Sequence, residues 1–135
     1  MPDAAIKQML LVESEPLLRR TVVLTARTLG IGNVYEAGNA SAAKRLLEEQ
    51  TFQGAVISLD FGHRQIALYD LELLDQVRGG KTASASRMPI AVMADSCDSA
   101  LLQALRERNV NRVILKPFRA RILIDVFTDF SGIPK

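Results

Sequence analysis

Short, mostly apolar runs alternate along this chain with longer stretches in which apolar residues recur three and four positions apart. "QMLLVE" (Gln8–Glu13), "NVYEA" (Asn33–Ala37), "AVISL" (Ala55–Leu59), "PIAVM" (Pro89–Met93) and "RVIL" (Arg112–Leu115) are too short for helices and read as buried strands. A helix is expected after each. In "SEPLLRRTVVLTARTLG", Ser14 offers an N-cap, Pro16 suits the first turn and Gly30 supplies the stop, with Leu18, Val22, Thr25, Ala26 and Leu29 as the inner face. The second helix spans Asn39–Gln50 with Asn39 or Ser41 as cap, and the third runs from about Asp70 to Arg78. Asp95, Ser96 or Asp98 caps a fourth that ends near Arg108 and Asn109, and the fifth covers Arg119–Phe130. "DFGHRQIALY" is irregular, and "GGKTASASRM" is a polar loop.

Strands that do not alternate apolar with polar must be covered on both faces. Five strand-then-helix units of this kind predict an α/β fold, a parallel sheet with helices on each side. In open parallel sheets ligands sit beyond the carboxyl ends of the strands, where the strand order reverses. Glu13-Ser14, Leu59-Asp60, Ala94-Asp95 and Lys116-Pro117 occupy those ends, so three acids and one lysine converge on one edge. That edge is the candidate site.

Length and composition narrow the picture. At 135 residues the chain is expected to be a single domain over 1–135, structured from about 7 to 130. It is 48% hydrophobic and 24% charged, with no apolar run as long as the roughly 18 residues of a membrane span and no signal pattern at its start. One cysteine, Cys97, forbids an internal disulfide, suits a reducing cytoplasm and reads as a small buried filler near a helix start. A net charge of +2 argues against a nucleic-acid partner, yet 12 of the 17 basic residues are arginine, the side chain for bidentate contact with phosphate or carboxylate. Glycine-rich nucleotide fingerprints are absent, His63 is a lone loop histidine, and Ser58 has no His or Lys base in sequence context. An enzyme acting on its own substrate is therefore not expected.

"LLVESEPLLRR", "LGIGNVYEAGNASAAKRLL", "DLELLDQVR", "MPIAVMAD" and "VILKPFRARIL" together resemble the receiver domain of bacterial response regulators, from about Lys7 to Phe130. The resemblance implies a flavodoxin-like fold, with five parallel strands in the order 2-1-3-4-5 and five helices on both faces. It also implies a mechanism. Such domains accept a phosphoryl group on an aspartate at the end of the third strand, beside Mg²⁺ held by that aspartate and two acids after the first strand. A hydroxyl after the fourth strand and a lysine after the fifth hold the phosphoryl oxygens, and an aromatic residue in the fifth strand reports the change.

Measured against that pattern, this site is degenerate. Glu13 and Ser14 stand at the two acidic positions, Ala94 replaces the hydroxyl and Val113 the aromatic reporter, while Lys116 is in place. Spacing from Phe52 puts Ser58 in the acceptor slot, matching "VIS" puts Leu59 there, and only a shift of one or two residues brings in Asp60. Metal binding by Glu13 and Asp60 is weakly supported, so no cofactor is expected beyond a weak Mg²⁺ site. Each lost hydrogen bond to a charged group is worth roughly 1.5–3 kcal/mol, so losing a metal carboxylate and a hydroxyl slows phosphorylation by roughly a hundredfold or more.

The expected function is that of a cytoplasmic pseudo-receiver, acting by protein–protein contact with a histidine kinase, a phosphotransferase or an output domain. Val23, Leu24 and Ile124, apolar residues off the inner faces of the first and fifth helices, are the expected interaction surface. Dimerisation through the fourth helix, fifth strand and fifth helix is a further possibility from the resemblance. Two alternatives stay open. One is a working receiver using Asp60. The other is a sensor of cyclic dinucleotides or phosphorylated ligands built on Arg106, Arg108, Arg112, Arg119 and Arg121.

Overall fold

A computed structural model of the chain describes residues 7–59, 71–116 and 119–131. Ten elements follow one another: β1 (Gln8–Val12), α1 (Pro16–Thr28), β2 (Asn33–Ala37), α2 (Ala40–Glu49), β3 (Gly54–Ser58), α3 (Glu72–Arg78), β4 (Ile90–Ala94), α4 (Ser99–Glu107), β5 (Arg112–Leu115) and α5 (Ala120–Ser131). All strand pairings are parallel and the order is β2-β1-β3-β4-β5, as the sequence pattern and the resemblance imply.

Successive strand residues point to opposite faces, so one apolar run feeds two cores. Leu10, Val12, Ala55, Ile57 and Val92 pack with Leu47, Leu74 and Leu105 beneath α2, α3 and α4. Met9, Leu11, Val56, Met93 and Ile114 pack with Val22, Ala26, Leu123 and Phe127 beneath α1 and α5. This double coverage is the physical reason the strands carry no polar face. No helix among the described residues is long and apolar enough to cross a membrane.

The helix boundaries follow local chemistry. Asn39 caps α2 by accepting from the Ala42 N–H at 2.8 Å, and Asp98 caps α4 by accepting from Leu101 at the same distance. The expected Ser14 cap of α1 is displaced to Glu15, whose carboxylate accepts from the Leu17 N–H at 3.3 Å. Pro16 occupies the first helical position and fixes the start one residue later than Ser14 would. Gly30, at φ 70°, turns the chain out of α1, and the Ile31 N–H reaches back to the Ala26 carbonyl at 3.1 Å. Leu29, expected on the inner face, lies beyond the last helical residue and is exposed.

Two other expected faces are corrected. Val23 is buried, because α1 lies over the sheet margin and its flank packs beside Val34 of β2. Ile124 is buried as well, at 7% exposure, because α5 contacts both the sheet and α1 and so buries a wider stripe than one sheet-facing line. Of the three apolar residues expected on the surface, Leu24 alone is exposed, at 48%.

Gly54 shows how closely α5 approaches β3. A Cβ there would stand 2.7 Å from Phe130 Cδ2 and 3.0 Å from its Cβ. Gly54→Ala is expected to lower stability by about 1–3 kcal/mol through overpacking, read by urea unfolding. Phe130→Leu in the same chain should restore part of that loss.

Candidate functional site

The strand ends gather in register. Val12 pairs with Ile57, Ser58 with Met93 and Ala94 with Leu115, so the residues just beyond them face one crevice where the strand order reverses between β1 and β3. Glu13 is held against β2 by its own N–H, which donates to the Ala37 carbonyl at 3.0 Å. Leu59 donates to the Met93 carbonyl and Lys116 to the Ala94 carbonyl, both at 2.9 Å. These bonds continue the sheet one residue past the formal strands and set the side chains at the edge.

Glu13 is the buried charge of the crevice, at 2% exposure. Its Oε2 accepts from the Glu15 N–H at 2.9 Å and from the Ser14 hydroxyl at 3.4 Å. Its Oε1 lies 3.1 Å from Lys116 Nζ, an ion-pair distance without the alignment of a hydrogen bond. The same ammonium donates to Ser58 Oγ at 3.0 Å. Lys116 thus bridges β1 and β3, spanning residues that are far apart in sequence, and neutralises Glu13 from within.

Neither residue at the described end of β3 is a carboxylate. Ser58 is the last strand residue and fully buried, and Leu59 turns its side chain into the core at 5% exposure. Asp60 and His63 lie outside the described residues. Ala94 is fully buried, and Val113 is half-buried against the α2–α4 core, where the resemblance implies an aromatic reporter. Cys97 is half-buried just ahead of the Asp98 cap, and burial, then the Asp98 carboxylate, push its thiol pKa up. The sequence predicts a small buried filler there, whereas the structure leaves it only half-buried.

A divalent magnesium ion demands near-octahedral oxygen ligands and is usually anchored by one or two carboxylates. Among the described residues no group of three His, Cys, Asp or Glu side chains could hold a metal ion. Glu13, the buried carboxylate at the end of β1, already faces an ammonium on one oxygen and hydrogen-bond donors on the other. The described residues therefore do not fit a resident metal, and no chemical step is derived through one.

Arg19 escaped the sequence reading. Its Nη1 donates to the Glu13 carbonyl at 2.7 Å and its Nε to Glu36 Oε1 at 3.2 Å, tying the crevice to β2. No local signal announces this contact, because only the β1-α1-β2 crossover brings positions 13, 19 and 36 together. Arg108 is committed to Asp75 at 2.7 Å and to the Ala104 carbonyl at 2.9 Å, while Arg106, Arg112, Arg119 and Arg121 are exposed on α4, β5 and the start of α5.

No family model matches the sequence, and no curated protein matches it. Solved structures do. A CheY-like response regulator receiver domain protein from Methanospirillum hungatei JF-1 superposes with a TM-score of 0.73 at 16% identity, covering 95% of both chains. The chemotaxis protein CheY4 of Vibrio cholerae gives a TM-score of 0.74 at 17% identity, over 93% of this chain and 99% of that one. The receiver domain of a sensor histidine kinase from Pseudomonas aeruginosa PAO1, which holds a magnesium ion in its active-site cleft, gives 0.69 at 20% identity, over 95% and 99%. The architecture of this chain, strand order included, is that of the response regulator receiver domains.

Proposed function

We propose that the chain is a cytoplasmic pseudo-receiver, a signal-transduction module recognised by a partner protein without phosphorylation of a strand-end aspartate. The observation that carries this reading is the internal neutralisation of the crevice. Lys116 is engaged at once by Glu13, at 3.1 Å, and by Ser58, at 3.0 Å, where a working site would need its lysine for an incoming phosphoryl oxygen. Leu59 and Ala94 supply neither carboxylate nor hydroxyl to a phosphoryl group beside β3 and β4, and the Ser14 hydroxyl is turned to Glu13 Oε2 at 3.4 Å. The reading gives the chain no reaction of its own. Its partner is a kinase, a phosphotransferase or an output domain, and Leu24 and the still more exposed Leu17 offer an apolar contact on α1. Leu115, 53% exposed on the edge strand β5, supports a homodimer through α4, β5 and α5.

The test is a titration with Mg²⁺ and beryllofluoride followed by amide NMR. No saturable shift is expected at Glu13, Leu59 or Lys116 at millimolar Mg²⁺. Saturable shifts there, lost in Asp60→Asn, would establish a working receiver instead. Four exposed arginines at 106, 112, 119 and 121 favour one second reading, an anion sensor. Cyclic di-GMP, titrated against the parent and against Arg119→Ala with Arg121→Ala, decides it.

A further inference from the structure

β2 is the outer strand of the sheet, and its free side opens onto a groove of about 520 Å³ that no part of the crevice reaches. Arg20, Val23, Leu24 and Arg27 of α1 form one wall, and Val34 and Glu36 of β2 form the other.

Among the described residues, the backbone at this edge has unmet hydrogen-bonding capacity. In a parallel strand a residue's N–H and C=O point to the same side, and the side alternates along the chain. The Asn33 N–H donates to the Lys7 carbonyl at 2.9 Å and the Ala37 carbonyl accepts from Glu13 at 3.0 Å, so the odd positions of β2 serve β1. Val34 and Glu36 therefore direct their N–H and C=O groups away from β1, along the open edge. Such an edge is a template for a further strand unless it is blocked, and β2 carries neither lysine nor proline to block it.

Charge determines what fits. The Glu36 carboxylate is already paired with Arg19 at 3.2 Å. Arg20 and Arg27 are both exposed and make no ion pair among the described residues, so the groove is net positive around the exposed Leu24. A second copy of this chain would bring the same unpaired guanidiniums to the contact, which disfavours pairing of like with like.

We propose that the β2 edge receives an extended acidic segment of a partner protein, added as a sixth strand. Its backbone pairs with Val34 and Glu36, and its side chains on the α1 side read acid, apolar, acid against Arg20, Leu24 and Arg27. The dimensions agree. Arg20 and Arg27 are about 10.5 Å apart along a helix axis, and alternate acids flanking an apolar residue in a strand are about 13 Å apart, a difference the long arginine stems absorb. Strand addition of this kind takes affinity from the main chain and specificity from alternate side chains. The proposal deepens the binding-module reading by naming the partner's chemistry, and it is independent of what happens at the crevice.

The experiment titrates the full chain with a synthetic peptide bearing glutamate, leucine and glutamate at alternate positions with threonines between, followed by amide NMR and hydrogen exchange. Saturable shifts and slowed exchange are expected at Val34 and Glu36, with affinity falling as salt rises. Arg20→Glu with Arg27→Glu should weaken binding at least about tenfold without moving the unfolding midpoint, because both side chains are solvent-exposed. The same peptide with lysine for glutamate should not bind. Absence of saturable shifts at Val34 and Glu36, equal binding of the lysine peptide, or undiminished binding by the charge-reversed chain overturns the proposal. So does light scattering that shows the free chain dimerising with those two amides protected. Because the peptide never touches Glu13, Ser58 or Lys116, its failure leaves the phosphorylation-independent reading standing, and the reverse also holds.

Discussion

Lys116→Met is expected to lower the stability of the fold by about 3–5 kcal/mol, because it leaves the Glu13 carboxylate buried without its counter-charge. For a chain of this size that corresponds to a fall of roughly 10–18 °C in Tm, read by circular dichroism. The magnitude follows from burial rather than from the ion pair as such. Glu13 and Lys116 have side chains 3% and 20% exposed, whereas the Arg108–Asp75 pair has 24% and 57%. A pair as open as the second contributes about 0–1 kcal/mol, and losing it should be hard to detect. The discriminating variant is the double replacement Glu13→Leu with Lys116→Met. It removes both charges and should recover most of the loss, since an apolar pair of similar volume often matches a buried ion pair. A Lys116→Met chain as stable as the parent would mean that Glu13 is not held by the ammonium. The internally neutralised crevice, and the functional reading built on it, would then lose their basis.

That interaction was half legible in the sequence. Glu13 and Lys116 stand at the ends of apolar runs, and the β-α repeat sends both ends to one edge, so their convergence follows from topology alone. What the sequence could not supply is which partner the lysine takes. That depends on how far each strand extends and on whether β3 ends in Ser58, Leu59 or Asp60, a register question that a single residue decides. The structure ends β3 at Ser58 and folds Leu59 into the core, and Asp60 lies outside the described residues. Strand identity was readable from local pattern and strand order from the topology implied by the resemblance, while Asn39 and Asp98 were each one of several caps the sequence offered. The surface assignments fared worse for one reason. Val23 and Ile124 sit on helix flanks, and flank burial is set by neighbouring elements, here β2 beside α1 and α1 beside α5, not by the helix's own periodicity. Leu24 stays exposed because it falls on the side of α1 that overhangs the open edge.

The two ends of the sheet are consequently built on different principles. At the carboxyl end a charged cluster centres on Glu13, which meets Lys116, Arg19 and the Glu15 N–H. At the amino end, side chains tie down backbone. Ser84 Oγ accepts from the Phe52 N–H at 2.8 Å, and Asn111 Oδ1 accepts from the Ile90 N–H at 2.9 Å. Arg78 is the largest of these ties, and sequence reasoning treated it only as the end of a helix.

Arg78→Ala is accordingly expected to be about as damaging as the loss of Lys116, although Arg78 lies at the far end of the molecule from any candidate chemistry. Its guanidinium donates to the carbonyls of Arg108 at 2.7 Å, Ser86 at 2.8 Å, Met88 at 2.6 Å and Asn109 at 3.0 Å. One side chain thereby fastens the end of α3 to the loop before β4 and to the turn between α4 and β5, where Asn109 adopts φ 54°. Burial lowers the pKa of the guanidinium from its ordinary value, the mark of a charge drawn partly out of water. Hydrogen bonds from a charged donor contribute about 1.5–3 kcal/mol each, but the Ser86 and Asn109 carbonyls are exposed enough for water to replace the arginine. The part-buried bonds to Arg108 and Met88 therefore dominate, and a loss of about 3–4 kcal/mol is expected in urea unfolding. Arg78→Lys should recover less than half, because a single ammonium cannot reproduce a planar fork that reaches carbonyls on two separate segments. Hydrogen exchange should locate the damage at Ile90, Val110 and Asn111 and leave the amides of Glu13 and Lys116 protected. Full stability in the lysine variant would show that charge alone, without the fork, holds this end of the sheet.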